Sequence, residues 1–160
     1  MKELNISHAG SPDGLPTPSH QNLPIRILVV DDEFSIRQLS SKVLTQSGYY
    51  VDAAEDGAAG WDALQASSYD LLITDNNMPK VSGVELVKML RSAGMTLPAL
   101  MVSATLPPEA LNGDSSLQLA ATLVKPFTMQ ELLGTIENIL RTAEVTPGHT
   151  VPLPAMAGAA

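Results

Sequence analysis

The sequence predicts an α/β fold: a doubly wound parallel sheet of five strands with helices on both faces. Five short apolar runs recur along the chain, and amphipathic segments with helical spacing separate them. Parallel neighbouring strands need crossover connections, and right-handed crossovers place helices on both faces of the sheet. The alternation of strand and helix patterns therefore indicates one sheet wound in both directions.

The strands are predicted from runs of apolar and β-branched residues. Four runs are almost continuously apolar, which is typical of strands covered on both faces, whereas the second run alternates and is expected at an edge. In chain order the predicted strands are RILVVD (26–31), YYVDAA (49–54), DLLITD (70–75), PALMVSA (98–104) and ATLVKP (121–126).

The helices are predicted from the segments between the strands. Apolar residues recur at helical spacing between 36 and 43 and again between 84 and 90. Residues 128–131, Thr-Met-Gln-Glu, form a capping-box pattern before an apolar series, which predicts the last helix. Two prolines and a glycine in the segment 105–119 leave room for only a short helix.

The chain is expected to hold one domain, residues 25–141, between two extensions. Residues 1–24 contain four prolines and show no apolar period, which predicts a flexible leader. Residues 142–160 are predicted to be a flexible tail, too broken by proline for a helix. All three histidines fall in these two extensions.

The composition limits the classes of function. A net charge of −8 argues against a surface that binds nucleic acid or an anionic membrane, because such surfaces need clustered lysine and arginine. The absence of cysteine excludes disulfides and thiolate chemistry. No apolar run is long enough for a signal peptide or a membrane span. We therefore expect a soluble cytoplasmic protein.

Polar residues stand where the predicted strands end. They are Asp31 and Asp32, Asp75, Ser103 and Lys125. Ligands of open α/β sheets bind beyond the carboxyl ends of the strands, so these side chains are expected to share one crevice. Three carboxylates would repel one another unless a cation neutralised them, and a hard ion such as Mg²⁺ prefers carboxylate oxygens. With a lysine and a hydroxyl nearby, Asp75 is predicted to accept a phosphoryl group.

Each of these residues also has a purely structural explanation. Asp31 and Asp32 could cap a helix, Asp75 could form a turn, and a serine or lysine at a strand end is common. Their occurrence at the ends of different strands, in one predicted crevice, favours the functional interpretation.

Four stretches together resemble the receiver domain of two-component response regulators, the CheY-like family. They are ILVVDDE (27–33), LLITDNNMPKVSG (71–83), ALMVSA (99–104) and LVKPF (123–127), and the resemblance covers about residues 25–141. It implies the strand order 2-1-3-4-5. It also implies a signalling domain that assists only its own phosphorylation and dephosphorylation, rather than an enzyme.

The resemblance assigns a role to each matching residue. Asp75 corresponds to the phosphorylated aspartate, which also contacts Mg²⁺, and Asp31 and Asp32 correspond to the acidic pair that binds this ion. The backbone carbonyl of Asn77 corresponds to a further metal ligand. Ser103 and Lys125 correspond to the groups that contact the phosphoryl oxygens.

The resemblance also implies partners and an output. The phosphoryl donor would be a phosphohistidine on a sensor histidine kinase or a histidine phosphotransfer protein. Because the 19 residues after Arg141 are too few for a helix-turn-helix module, we expect a stand-alone receiver that acts through a downstream protein and not through nucleic acid. Gly83 and Pro126 correspond to a family glycine and to a proline whose peptide bond is often cis.

Two positions depart from the family pattern. Thr122 stands where relatives commonly carry tyrosine or phenylalanine, so the aromatic half of the family's switch is absent or replaced. We hypothesise that Ser103 still moves and that output depends on backbone shifts or on phosphorylation-dependent homodimers. Asn76 stands where relatives mostly carry an apolar residue, and it is expected to modulate dephosphorylation.

Two other functions use the same residues. A Mg²⁺-dependent phosphatase with an aspartyl-phosphate intermediate would need a second acid two residues after the nucleophile, where Asn77 stands. A receiver-like scaffold would need no phosphorylation, but degenerate family members usually lose the acceptor, an acid or the lysine, and all of these are present.

Overall fold

The computed structural model describes residues 24–113 and 116–145 and confirms the predicted sheet. All five strands are parallel and lie in the order β2-β1-β3-β4-β5, so the alternating second strand is indeed at an edge. The strands are β1 (Arg26–Val30), β2 (Tyr50–Ala54), β3 (Leu71–Asp75), β4 (Ala99–Ser103) and β5 (Ala121–Val124).

Helices cover both faces of this sheet. They are α1 (Phe34–Gln46), α2 (Gly57–Ala66), α3 (Gly83–Ser92), α4 (Pro108–Leu111) and α5 (Met129–Val145). Side chains alternate along each strand, so Leu28 and Val30 of β1 pack in one core with α2 and α3. Ile27 and Val29 pack in a second core with α1 and α5. Burial on both faces explains the continuous apolar runs of the inner strands.

The strand register brings the predicted polar residues to one edge of the sheet. Val30 is level with Thr74, Asp75 with Val102, and Ser103 with Val124. Asp75 and Ser103 are the last residues of their strands, and Asp31 and Lys125 directly follow theirs, so all four lie at the carboxyl edge of the sheet.

Capping boxes stabilise the starts of two of the helices. Thr128 and Glu131 form the predicted capping box at the start of α5, with each side chain accepting the other residue's backbone N–H. Ser82 and Glu85 form a second one at α3, which the sequence analysis did not predict.

The segment between β4 and β5 is short of regular structure. As predicted, it holds only a brief helix, the four residues of α4, none of which is buried. Arg91 of α3 secures its far end by donating hydrogen bonds to the carbonyl oxygens of Leu117 and Gln118. The same guanidinium donates to the carbonyls of Met95 and Leu97, so one side chain joins two connections.

One predicted boundary was wrong. Helix α5 continues to Val145, four residues beyond the predicted end at 141. Residues 142–145 contain no proline, and the first restriction comes from Pro147, so the helix can continue to this point. The remaining parts of the two predicted extensions (1–24 and 142–160), residues 1–23 and 146–160, lie outside the described residues. Within the described part of the chain, no helix is long and apolar enough to cross a membrane.

Candidate functional site

Asp75 is the last residue of β3 and is buried, with 5% of its surface exposed. Its Oδ1 accepts hydrogen bonds from the backbone N–H groups of Asn76 at 2.7 Å and Asn77 at 3.3 Å. At the end of β3, the backbone N–H groups of Asn76 and Asn77 thus both point back to the Asp75 carboxylate. The carboxylate is held in one orientation before any ligand arrives.

Lys125 follows β5 and supplies the cation of the site. Its Nζ lies 3.2 Å from Asp75 Oδ2 and 3.2 Å from Asp31 Oδ2, and it donates to Glu33 Oε1 at 3.3 Å. Burial by itself would lower the pKa of Lys125, but attraction to Asp31 and Asp75 outweighs burial and raises it. The lysine therefore stays charged at neutral pH. The peptide bond that follows, Lys125–Pro126, is cis, as the family resemblance implied.

Asp31 and Asp32 complete an acidic cluster with Asp75. One carboxylate oxygen from each of the three residues lies within 4.8 Å of the others. Burial raises the pKa of Asp31, although the backbone N–H of Glu33 and the charge of Lys125 act in the opposite direction. The charge of Asp75 acts in the same direction as burial and also raises the pKa of Asp31.

Ser103 is fully buried at the end of β4, one residue beyond the partner of Asp75 in the sheet register. Its Oγ donates a hydrogen bond to the carbonyl oxygen of Thr105 at 3.0 Å and accepts one from Asn77 Nδ2 at 3.4 Å. The hydroxyl is therefore directed along the chain toward the β4–β5 segment, and Asn77 connects it to the loop that follows Asp75.

Sequence reasoning missed two residues of the site, Glu33 and Arg37, and one contact of Asn76. Glu33 shares Lys125 with the predicted aspartates, and Arg37 donates to the carbonyl oxygen of Asp31 at 2.7 Å. The side chain of Asn76 accepts from the backbone N–H of Val84 at the start of α3. The only sequence signal for Glu33 is its position directly after the acidic pair. The contacts of Arg37 with the Asp31 carbonyl and of Asn76 with the Val84 amide correspond to no local sequence pattern.

Thr122 lies on β5 beside an open hollow. The hollow has a volume of about 230 Å³ and is lined by residues that include Glu109, Ala110, Gln118, Leu119 and Thr122. It separates the short helix α4 from the edge strand. Thr122, where relatives commonly carry an aromatic ring, is thus an exposed residue in the lining of this hollow.

A doubly wound parallel sheet with an acidic cluster and a lysine at its carboxyl edge defines the class of α/β proteins that bind ligands beyond their strand ends. A sequence model of the response regulator receiver domain matches residues 27–137. The chain therefore belongs to the family of response regulator receiver domains.

Individual relatives agree with this assignment. The probable transcriptional regulatory protein SilR of Salmonella typhimurium is 38% identical over 119 residues, 73% of this chain and 51% of SilR. The chain thus spans about half the length of this relative.

Solved structures resemble the chain over about three quarters of its length. The chemotaxis protein CheY4 of Vibrio cholerae superposes with a TM-score of 0.69 at 35% identity, covering 74% of this chain and all of CheY4. The response regulator protein TrrA of Thermotoga maritima, solved in complex with Mg²⁺ and BeF, gives 0.65 at 33% identity, covering 72% of this chain and 99% of TrrA.

Proposed function

We propose that this receiver domain is the phosphoacceptor of a two-component phosphorelay and that Asp75 takes the phosphoryl group. The donor is a phosphohistidine on a sensor histidine kinase or a histidine phosphotransfer protein. The observation that carries the proposal is the setting of Asp75. This buried carboxylate has one oxygen fixed by two backbone amides and the other paired with Lys125, and it lies beside the carboxylates of Asp31 and Asp32.

In the proposed transfer, one oxygen of Asp75 forms a bond to phosphorus while the P–N bond of the phosphohistidine breaks. The electron pair of that bond returns to the imidazole nitrogen, and an acyl phosphate remains on Asp75. The amides of Asn76 and Asn77 orient the carboxylate in advance, so little freedom is lost on the way to the transition state. Lys125, already 3.2 Å from Asp75 Oδ2, is placed to pair with an oxygen of the incoming phosphoryl group.

The donor set fits a hard divalent cation. Three carboxylate oxygens within 4.8 Å of one another have the chemistry and spacing that Mg²⁺ requires, with room for water at its other positions. We propose that Asp31, Asp32, Asp75 and the backbone carbonyl of Asn77 hold the ion. When bound, Mg²⁺ would offset the negative charge of the carboxylates and the phosphoryl oxygens.

The proposed output is a change in the surface that a protein partner recognises. Ser103 donates to Thr105 at the start of the β4–β5 segment, so a hydroxyl that turned toward a phosphoryl group would release that contact. A downstream protein or a second phosphorylated copy would read the altered segment. Action as a stand-alone domain without nucleic acid, and a cytoplasmic location, stay predictions from the sequence.

Intact-mass measurement after incubation with acetyl phosphate and Mg²⁺ tests the acceptor role. We expect the mass of one phosphoryl group to be added to the wild type, and no addition to Asp75→Ala or in the presence of EDTA. Asp62→Ala, which removes an exposed carboxylate of α2, is the matched control and should be modified like the wild type. A folded wild type that gains no mass from acetyl phosphate or from phosphohistidine donors would favour the scaffold function instead.

A further inference from the structure

Asn76, the residue after the proposed acceptor, makes four hydrogen bonds with its neighbours. Its backbone N–H donates to Asp75 Oδ1 at 2.7 Å, and its backbone carbonyl accepts from the N–H groups of Met78 and Gly83, both at 3.0 Å. Its side-chain Oδ1 accepts from the N–H of Val84, also at 3.0 Å. Every polar direction of the residue except the side-chain amide nitrogen is thus used in a described contact.

These contacts join Asn76 to the start of helix α3. The first N–H groups of a helix have no partner within it. Here Gly83 and Val84 donate theirs to the carbonyl and the side chain of Asn76, and Glu85 donates to Ser82 Oγ. Asn76 therefore supplies two of the three acceptors at this helix end.

The helix end lies directly against the acceptor backbone. A Cβ atom built on Gly83 would overlap the carbonyl oxygen of Asp75 and would come within 2.9 Å of the Asn76 Cα atom. Because α3 approaches this closely, its first turn fixes the position of the peptide units around residues 75–77. Those units carry both amides that hold the Asp75 carboxylate.

We propose that the Asn76 side chain is a positioning residue for phosphoryl transfer: by accepting from Val84, it holds the amides of residues 76 and 77 against the Asp75 carboxylate. The proposal rests on the acceptor role of Asp75 and adds a residue to that reaction. Asn76 does not touch the phosphoryl group. It acts through the carboxylate that does.

The expected effect follows from the loss of one hydrogen bond. Asn76→Leu keeps the backbone hydrogen bonds from Met78 and Gly83 but removes the acceptor for Val84, which loosens the attachment of residues 76 and 77 to the start of α3. We expect phosphorylation of Asp75 by acetyl phosphate to slow by about fivefold, the effect of one net hydrogen bond. Asn76→Asp retains a side-chain acceptor for Val84, at a helix end that favours negative charge, and should restore most of the rate.

A matched control separates positioning from the stability of α3. Ser82→Ala removes another capping contact at the same helix end, the one from Glu85, but does not touch residues 75–77. We would measure the rate of mass gain with acetyl phosphate and Mg²⁺ for the wild type and the three variants. Hydrogen exchange of the Asn77 amide, measured in parallel without phosphate donor, should be faster in Asn76→Leu than in Ser82→Ala.

Each outcome decides the matter. A slow Asn76→Leu with a normal Ser82→Ala and a restored Asn76→Asp supports the proposal. A folded Asn76→Leu that reacts at the wild-type rate overturns it and leaves the acceptor role of Asp75 intact. Equal slowing of Asn76→Leu and Ser82→Ala also overturns it, because helix stability would explain both. A wild type that gains no phosphoryl group defeats the acceptor role and this proposal together.

Discussion

The connection between β3 and α3 differs sharply from the connection between β4 and β5. In the first, backbone amides of residues 76, 77, 78, 81 and 83 all have acceptors, and the loop ends in a capping box. The second has a four-residue helix with no buried side chain, and Leu111 in it is 67% exposed. At its far end, the guanidinium of Arg91 donates to two carbonyls and Leu117 is buried in the core.

The difference shows how one small sheet can serve two requirements. The proposed acceptor carboxylate of Asp75 needs a fixed orientation, and the dense contacts of the β3–α3 connection provide it. A segment that changes on modification needs a low cost of movement, and few buried contacts provide that. Ser103 stands between the two connections, since its hydroxyl contacts Asn77 on one side and Thr105 on the other.

The largest expected effect comes from loosening the fixed connection. Gly83→Ala places a Cβ against the backbone of Asp75, so the start of α3 must move away. We expect the free energy of unfolding to fall by about 1–3 kcal/mol and phosphorylation to slow. Urea denaturation and the mass assay measure the two effects.

Gly134→Ala is the control for that substitution. Gly134 lies within α5, and a Cβ there meets no atom within 4 Å. Alanine is the better helix former, so stability should rise by up to about 1 kcal/mol with phosphorylation unchanged. Equal stability of the two alanine variants would contradict the close approach at Gly83.

The next largest effect is expected from detaching the far end of the β4–β5 connection from α3. Arg91→Met removes the donors for four carbonyl groups but keeps the aliphatic packing of the side chain. We expect a loss of about 2 kcal/mol and faster amide exchange between residues 104 and 120. Arg91→Lys should not restore the protein, because an ammonium cannot reproduce the planar fork. Lys88→Met, at an exposed position of the same helix, is the control and should change little.

A smaller effect concerns the support of the fixed connection from α2. Asp56 caps α2, and Lys80 of the β3–α3 connection lies 3.5 Å from its Oδ2. The hydrogen bond from the Ala59 backbone, with a smaller contribution from Lys80, lowers the pKa of Asp56. Because the folded-state pKa is the lower one, this carboxylate stabilises the protein above its unfolded pKa, and the contribution disappears as pH falls through the folded value.

Asp56→Asn tests that sign. The amide keeps an acceptor for Ala59 but has no proton to gain, so its free energy of unfolding should fall less steeply below about pH 4 than that of the wild type. Asp31, whose pKa burial raises, titrates in both proteins and cancels from the difference. Parallel stability curves for the two proteins between pH 6 and pH 3 would show that Asp56 does not have a lowered pKa.

The smallest effect on stability is expected at Thr122. Thr122→Tyr adds a ring beside the hollow between α4 and β5, and we expect stability to change by less than about 0.5 kcal/mol. The same ring should enlarge the NMR shift changes between residues 104 and 125 on phosphorylation. If the wild type shows no shift changes there at all, the proposal that Ser103 moves the segment is wrong.

The sheet was predictable because its three inner strands, β1, β3 and β4, are buried on both faces, whereas β2 and β5 are partly exposed at the edges. Each apolar run in the sequence became a strand, with ends that differ from the predicted ones by at most two residues. Once parallel order was inferred, the strand ends alone placed Asp31, Asp75, Ser103 and Lys125 at one edge. Burial leaves a strong pattern in sequence, and the edge follows from topology.

The contacts that support the site and the β4–β5 connection were not predictable, because they join backbone groups to side chains that are distant in sequence. Arg91 binds carbonyls 26 and 27 residues further along the chain, and backbone carbonyls leave no mark in a sequence. Asn76 caps a helix that starts seven residues later, outside the spacing of a capping box. The predicted domain ended at residue 141 because the prolines from Pro147 onward were taken to exclude a helix from residue 142, but residues 142–145 contain no proline and are helical.

The contacts of Lys125 have a consequence for how the chain folds. They join residues 94 and 50 positions apart, from the edge strand β5 to the ends of β1 and β3. Pairing of β1 with β3 brings Asp31 and Asp75 together, and only the docking of β5 brings the ammonium that balances them. We expect a partly assembled sheet to carry an uncompensated acidic edge. The lysine would thus favour sheets that include β5 over intermediates that lack it and make the docking of β5 more cooperative.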